Sequence, residues 1–236
     1  MRLYSDHGVV LRTIKLGEAD RIVTLITEGR GKVRAVAKGV RKTKSRFGGR
    51  LEPMTHVALQ LYEGRELDTI TQAETVDHFR TIRDDLDRVA RAQSLLEVVD
   101  QVAQERQANP ALYRMLVGGL RALAAANAPL LVPAFFWKLL ALEGFQPLLD
   151  QCASCGETDD LVAFDFEEGG VLCIRDRRGV AISPGALDLL RRILGGGLAA
   201  ALNEPAGPST AEVSHLAEAA LEHHLERRLK SLGTVL

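Results

Sequence analysis

Aromatic side chains are scarce in this chain of 236 residues: one Trp, three Tyr and seven Phe. A binding surface paved with stacked rings is therefore excluded. Cysteine is nearly absent, with three residues. That is too few for a disulfide framework and fits a reducing compartment. No run approaches the roughly 18–20 apolar residues of a membrane-spanning helix. The opening Met1-Arg2-Leu3-Tyr4-Ser5-Asp6-His7 has no apolar signal core, so the expected location is the cytoplasm. Net charge is also nearly absent, at -1.

What is present is the balance of an ordinary globular protein, 46% hydrophobic and 26% charged, which argues against disorder and against rod-like folds. The small net charge hides an asymmetry. Residues 1–72 carry 14 Lys and Arg against 8 Asp and Glu, and the remainder carries 16 against 23. The distribution of charge, not its total, bears on partners.

The basic third reads as strands. Val9–Ile14, Arg21–Thr27, Lys32–Lys38, Val57–Tyr62 and Leu67–Gln72 are short, β-branched or alternating runs. Gly29-Arg30-Gly31 signals a tight hairpin. Five strands in about 70 residues predict a small closed barrel of OB type; an SH3-like barrel has nearly the same signature. Residues 30–50 hold Arg30, Lys32, Arg34, Lys38, Arg41, Lys42, Lys44, Arg46 and Arg50 with no acid among them. Such a cluster needs a counter-charge. A phosphate backbone supplies one, and counterion release drives its binding. The alternative is a solvated loop. Gly39, Gly48 and Gly49 suggest a segment that orders on contact. With only Phe47, Tyr62 and Tyr4 as stacking candidates, little sequence specificity is expected.

From Phe79 the pattern turns helical. Leu86, Val89, Gln93, Leu96, Val99 and Ala103 recur at spacings of three and four. Asn109-Pro110 and Ser183-Pro184 read as cap and first residue of two helices. A further helix spans about 130–143, stopped by Gly144, and a final one starts at Ser209 or Thr210. Gly195-Gly196-Gly197 follows a helix and lacks a Lys-Ser/Thr, so it reads as a helix stop and not a phosphate loop. His223 and His224 are adjacent and point to different helix faces, which disfavours a shared metal. No nucleophilic triad or catalytic acid pair stands out, so the sequence makes no case for an enzyme.

Cys152-Ala153-Ser154-Cys155 is followed after 17 residues by Cys173-Ile174-Arg175-Asp176. Two short-spaced pairs fit a zinc ribbon, with Asp in the fourth place. Three readings stand: structural zinc held by Cys152, Cys155, Cys173 and Asp176; zinc with water or with Asp159 or Asp160 as fourth ligand; and a knuckle without metal.

The run Gly17-Glu18-Ala19-Asp20-Arg21-Ile22-Val23-Thr24-Leu25, then Gly31-Lys32 and Ala37–Arg46, resembles the bacterial recombination mediator family RecO. So do Leu51-Glu52-Pro53, Tyr62–Leu67, Thr71–Glu74, Lys138-Leu139-Leu140 leading through Gly144-Phe145-Gln146-Pro147 to Cys152, and Leu229-Lys230-Ser231. The resemblance covers the chain in order. It implies an α+β protein: an OB-fold barrel at 1–78, then a helical domain at 79–150 and 180–236, interrupted by a zinc-knuckle insertion at 151–179. It implies binding of single- and double-stranded DNA, annealing of complementary strands, and contacts with RecR and the SSB C-terminal tail that load RecA, with RecF as a further indirect partner. It carries the DNA surface onto Lys38, Arg41, Lys42, Lys44 and Arg46, with Arg34 and Arg12 at its margin. It also carries zinc onto the cysteine cluster, where Asp176 departs from the all-cysteine pattern. An SSB tail is acidic with an aromatic end and needs a basic rim around an apolar groove, for which Arg121, Phe135, Phe136 and Lys138 are candidates. Two other classes fit the composition less well: an OB-containing tRNA-binding factor, and a zinc-ribbon regulator, for which no recognition helix is evident.

Overall fold

A computed structural model describes residues 2–225. The Leu229-Lys230-Ser231 block lies outside the described residues. The described residues divide into two compact units, 2–126 and 127–225.

The first unit opens with strands β1 (Leu3–Leu16), β2 (Asp20–Thr27), β3 (Gly31–Ala37), β4 (His56–Tyr62) and β5 (Asp68–Asp77). They close into a barrel in the order β1-β2-β3-β5-β4. All neighbours are antiparallel except β3 and β5, which run parallel. This is the OB-type arrangement, and it removes the SH3-like alternative. Strand β1 is longer than its apolar run because it serves two partners. Leu3–Val9 pairs with β4 and Gly8–Leu16 with β2. Its polar start, Ser5-Asp6-His7, hides this from the hydrophobic pattern. Val10, Val23, Leu25, Val33, Ala35, Val57, Leu59, Leu61 and Ile70 fill the interior, joined by Phe47 and Leu51 from the β3–β4 connection.

Helices α1 (Arg80–Arg83), α2 (Leu86–Val102) and α3 (Pro110–Ala125) complete this unit. Asp85 caps α2, its side chain accepting from the Asp87 and Arg88 amides. Asn109 caps α3 by accepting from Leu112, with Pro110 in the first turn. Helix α2 packs on β1, and α3 on β1 and β2. Alternation along the strands explains the fit. Val9 and Ile26 point away from the barrel interior yet are fully buried, because the helices cover that part of the outer face.

The β3–β5 contact is short, Ala35–Asp68 and Val36–Thr69 only. Beside it the chain after α2 fills the gap. The Lys32 amide donates to Gln104 (3.3 Å) and the Arg106 amide donates to Lys32 (2.9 Å). Gly31 sits at φ +68°, and a Cβ there would stand 1.8 Å from the Gln107 carbonyl oxygen.

The second unit contains α4 (Leu131–Leu142), β6 (Leu161–Asp165), β7 (Gly170–Cys173), β8 (Val180–Ala181), α5 (Pro184–Leu194), α6 (Leu198–Leu202) and α7 (Pro208–Leu225). The small sheet has the order β7-β6-β8. Ser183 caps α5 through the Ala186 amide and donates from Oγ to Glu212 of α7 at 2.6 Å. Helices α4, α5 and α7 pack together around Trp137, whose ring meets Phe164 edge-on at 5.6 Å. Helix α6 and strand β8 have no counterpart in the sequence pattern: each is too short to show a period.

His56, at the start of β4, is 5% exposed. Its Nε2 is hydrogen-bonded to the Tyr113 hydroxyl at 2.7 Å. Burial, with Arg121 and His7 nearby, lowers its pKa against the weaker pull of Asp77 and Glu28.

Two predictions follow from these positions. Gly31→Ala must displace residues 104–108 and adopt a left-handed φ, so it should cost about 2–4 kcal/mol of stability in urea unfolding. A control at the open Gly17, also at positive φ, should lose about 1 kcal/mol. His56 is held neutral in the fold, so its contribution is present above the unfolded pKa of about 6.5 and is lost as pH falls towards the lower folded value. His56→Gln should therefore flatten the loss of stability between about pH 7.5 and 5. A parallel decline in both proteins would show that His56 is not its source.

Candidate nucleic-acid interface and metal centre

The basic residues of 30–50, with Arg12, separate into two sets. Arg12, Arg30, Lys32 and Arg34 have internal carboxylate partners. Asp100, near the end of α2, pairs with Arg12 at 2.5 Å and lies 3.5 Å from the Lys32 ammonium, which also donates to the Asp100 carbonyl at 2.7 Å. Glu105 faces Arg34 at 3.8 Å, and Glu63 faces Arg30 at 3.4 Å. Arg30 also lies over the Tyr4 ring, 3.8 Å from its centroid. These acids are absent from residues 30–50, as the sequence indicated. They come from sites 33 to 88 residues away in the chain, which no local reading could find.

The second set lies on the connection between β3 and β4. Lys38, Arg41, Lys42, Lys44, Arg46 and Arg50 are all exposed, and none forms an ion pair among the described residues. Their loop is fastened, not free. The Gly39 amide donates to Asp20 at 2.7 Å. The Arg41 amide donates to the Ala19 carbonyl at 3.0 Å, and the Arg41 guanidinium donates to Gly17 at 3.2 Å. Further along, the Ser45 amide donates to Lys42 at 2.9 Å, while Phe47 and Leu51 are buried in the barrel core at 1% exposure each. The expectation of a segment that orders only on contact is thus replaced by a built loop with glycines at its turns. Arg46 lies over the Phe47 ring at 4.8 Å. A cleft of about 630 Å³, lined by Phe47, Gly48, Gly49, Arg50, Glu74, Thr75 and His78, opens beside it.

The four residues of the SSB-tail expectation are not brought into one surface by anything described. Phe135 and Phe136 belong to the interior of the second unit, at 6% and 1% exposure. Lys138 is half-buried on α4, and Arg121 is exposed on α3. His223 and His224 instead stack on Phe166 and Phe145, at 5.9 and 4.1 Å between centroids.

The cysteine cluster forms as the spacing predicts. The ligand atoms of Cys152, Cys155, Cys173 and Asp176 all lie within 4.8 Å of one another. Each pair sits in its own turn: the Gly156 amide donates to the Cys152 carbonyl (2.9 Å) and the Asp176 amide to that of Cys173 (3.2 Å). Cys155 Sγ is 3.7 Å from Cys173 Sγ. Asp176 Oδ2 is 3.3 Å from Cys152 Sγ and 3.6 Å from Cys173 Sγ. Tetrahedral bonds of about 2.3 Å to sulfur and 2.0–2.2 Å to oxygen require edges of roughly 3.8 and 3.5 Å. The donor set therefore fits a metal ion. Asp159 and Asp160 are not in the cluster.

The close approach of these groups also shifts their ionisation in opposite directions. Burial opposes ionisation of Cys152, but the backbone amides of Cys173, Cys155 and Ser154 outweigh it and hold its thiol low. The hydrogen bond with Asp176 pushes the Cys155 thiol up to about 12 and holds the Asp176 carboxyl low. Without a cation these donors share protons; metal binding displaces such protons.

No helix among the described residues is long and apolar enough to cross a membrane. Residues 1–79 match the family model of the N-terminal part of recombination protein O, and residues 83–233 match that of its C-terminal part. These matches account for both the barrel and the helical region with its cysteine cluster, and the chain belongs to the recombination protein O (RecO) family, which acts in DNA recombination and repair.

Proposed function

We infer that this chain is a strand-annealing recombination mediator that binds single- and double-stranded DNA through Lys38, Arg41, Lys42, Lys44 and Arg46. The observation that carries this reading is the sorting of charge. Cations with internal carboxylates are already neutralised, and six without an ion pair lie together on one fastened loop, while Arg2, Lys15 and Arg65 are scattered over the barrel. Arg12 and Arg34, held by Asp100 and Glu105, are secondary contacts. Annealing brings two phosphate backbones together against their repulsion. A basic surface that follows one strand and tolerates a second lowers that barrier without covalent chemistry. With RecR, such a protein helps load RecA onto single strands coated by SSB. Those two contacts are what the family suggests and have no assigned residues here, although Arg121 is exposed and Lys138 half-buried among the expected SSB-tail set.

The metal centre is read as structural zinc, held by Cys152, Cys155, Cys173 and Asp176. The ion would lock two turns flanking the β6–β7 hairpin, the stabilising role of closed four-ligand sites.

Alanine at Lys38, Arg41, Lys42, Lys44 and Arg46 together should abolish annealing of SSB-coated oligonucleotides. It should also make the salt dependence of single-strand binding shallower by about 0.7 per lost contact, or about 3.5 in all. Equal annealing by both proteins would move the DNA surface elsewhere, and preference for folded RNA in competition would favour the tRNA-binding class. For the metal, one zinc per chain is expected by elemental analysis. Asp176→Ala should weaken zinc by more than about tenfold in a chelator competition, and Asp176→Cys should tighten it. Zinc retention unchanged in both variants would remove Asp176 from the ligand set.

A further inference from the structure

The three thiols of the knuckle differ in access. Cys152 and Cys173 are buried, while Cys155 is exposed. The sulfurs of Cys155 and Cys173 lie 3.7 Å apart. A disulfide needs about 2.05 Å, so a closing movement of roughly 1.7 Å turns this contact into a bond. The two residues stand on separate turns, one on each side of the β6–β7 hairpin. Asp176 Oδ2 faces the other two sulfurs, 3.3 Å from Cys152 and 3.6 Å from Cys173. The Arg175 side chain donates to Cys173 and pairs with Glu157 at 3.1 Å, which sets a cation beside the solvent-facing sulfur pair.

An aspartate in the fourth place limits what oxidation can do. Thiols yield to two-electron oxidants and a carboxylate does not. Four cysteines can form two disulfides, whereas three can form only one and leave a thiol over. If Cys155 and Cys173 are joined, one thiol and one carboxylate remain, half of a closed four-ligand site. The new bond would span the same two turns that the four ligands span together, so the hairpin keeps a cross-link at its base.

We propose that Cys155 and Cys173 form a reversible disulfide on exposure to a hydroperoxide, and that this bridge releases the metal while taking over its task of joining the two turns. The proposal rests on the structural-zinc reading above. Metal ligation keeps both sulfurs as thiolates. The exposed Cys155 thiolate attacks one peroxide oxygen, the O–O bond breaks, and hydroxide leaves beside Arg175, giving the sulfenic acid. The Cys173 sulfur then attacks Cys155 Sγ. The S–S bond forms, the S–O bond breaks, and a second hydroxide leaves. The two thiolates have lost two electrons and the peroxide has gained them, and two protons from solvent complete two waters. A small dithiol reverses the bridge by exchange and is itself oxidised.

The zinc-loaded full chain is treated with hydrogen peroxide in the presence of a chromophoric zinc indicator. About one zinc per chain should appear as the free thiols fall from three to about one. Dithiothreitol with added zinc should reverse both changes. Glu157, Glu167 and Glu168 lie between Cys155 and Cys173, so digestion after glutamate should yield two peptides linked by a disulfide, with fragmentation placing the bond at Cys155. Cys155→Ser alters an exposed side chain, and its two buried thiols should stay reduced under the same treatment. Trp137 is the one tryptophan and packs on Phe164 of β6. The urea midpoint that its fluorescence reports should fall when a chelator strips the reduced protein, and should recover towards the zinc-bound value once the bridge forms. A Cys152–Cys155 bridge, sulfinic acid without any bridge, or equal thiol loss in Cys155→Ser overturns the proposal. Zinc bound by the reduced chain but retained after the bridge forms overturns the release alone and leaves the structural-zinc reading standing. A reduced chain that binds no zinc overturns that reading and the release with it.

Discussion

The first unit depends on one backbone contact, the docking of residues 104–107 against the start of β3. The β3–β5 pairing that closes the barrel spans two residue pairs, so the neighbouring edge of β3 would otherwise expose unpaired amides and carbonyls. The chain leaving α2 satisfies them at Lys32, which fixes the end of α2 and the start of α3 against the barrel. It also requires that residue 31 have no side chain. Asp100 and Glu105 reach Arg12, Lys32 and Arg34 because this segment holds them there. Arg34 and Glu105, at 3.8 Å and largely exposed, contribute little stability themselves. Their effect lies in where they place neutral and positive surface.

That placement changes the meaning of the basic run. Along the sequence, Arg30 through Arg50 is one block of nine like charges. In the fold it is two regions, one neutralised from within and one open. The open region gains its position from Phe47 and Leu51, which anchor the loop in the barrel interior, and from hydrogen bonds to the β1–β2 hairpin tip. Cations fixed by a core anchor present a surface of defined shape, so a strand meeting it need not also supply the energy to order the loop.

The parts legible in the sequence were those written in local pattern. Five runs of strand period became the five barrel strands. Asn109-Pro110 and Ser183-Pro184 became helix starts because side-chain capping acts over three residues. The two cysteine turns met because each needs only four residues and a hairpin between them. What escaped was set by distance or shortness. The beginning of β1 and the end of β5 are polar because they lie in extensions that the barrel imposes. Helix α6 and β8 are too brief for a period. The carboxylates that neutralise Arg12 and Arg34 are placed by the docking of residues 104–107. Phe135 and Phe136 looked like a groove because adjacent aromatics on a helix can face either way; α4 is buried nearly all round, and both rings lie inside.

The scarcity of aromatics then acquires a physical sense in the proposed activity. A ring stacked on a base contributes about 1–3 kcal/mol and applies to every base it meets. A surface with many such rings holds a strand firmly and resists passing it on. Phosphate contacts are exchanged against counterions and weaken steeply as salt rises. An annealing protein must hold a strand long enough for its complement to arrive and then release a duplex whose base faces are hidden. A surface of exchangeable cations with few rings suits both demands, because counterions compete for each phosphate contact as the strand is passed on.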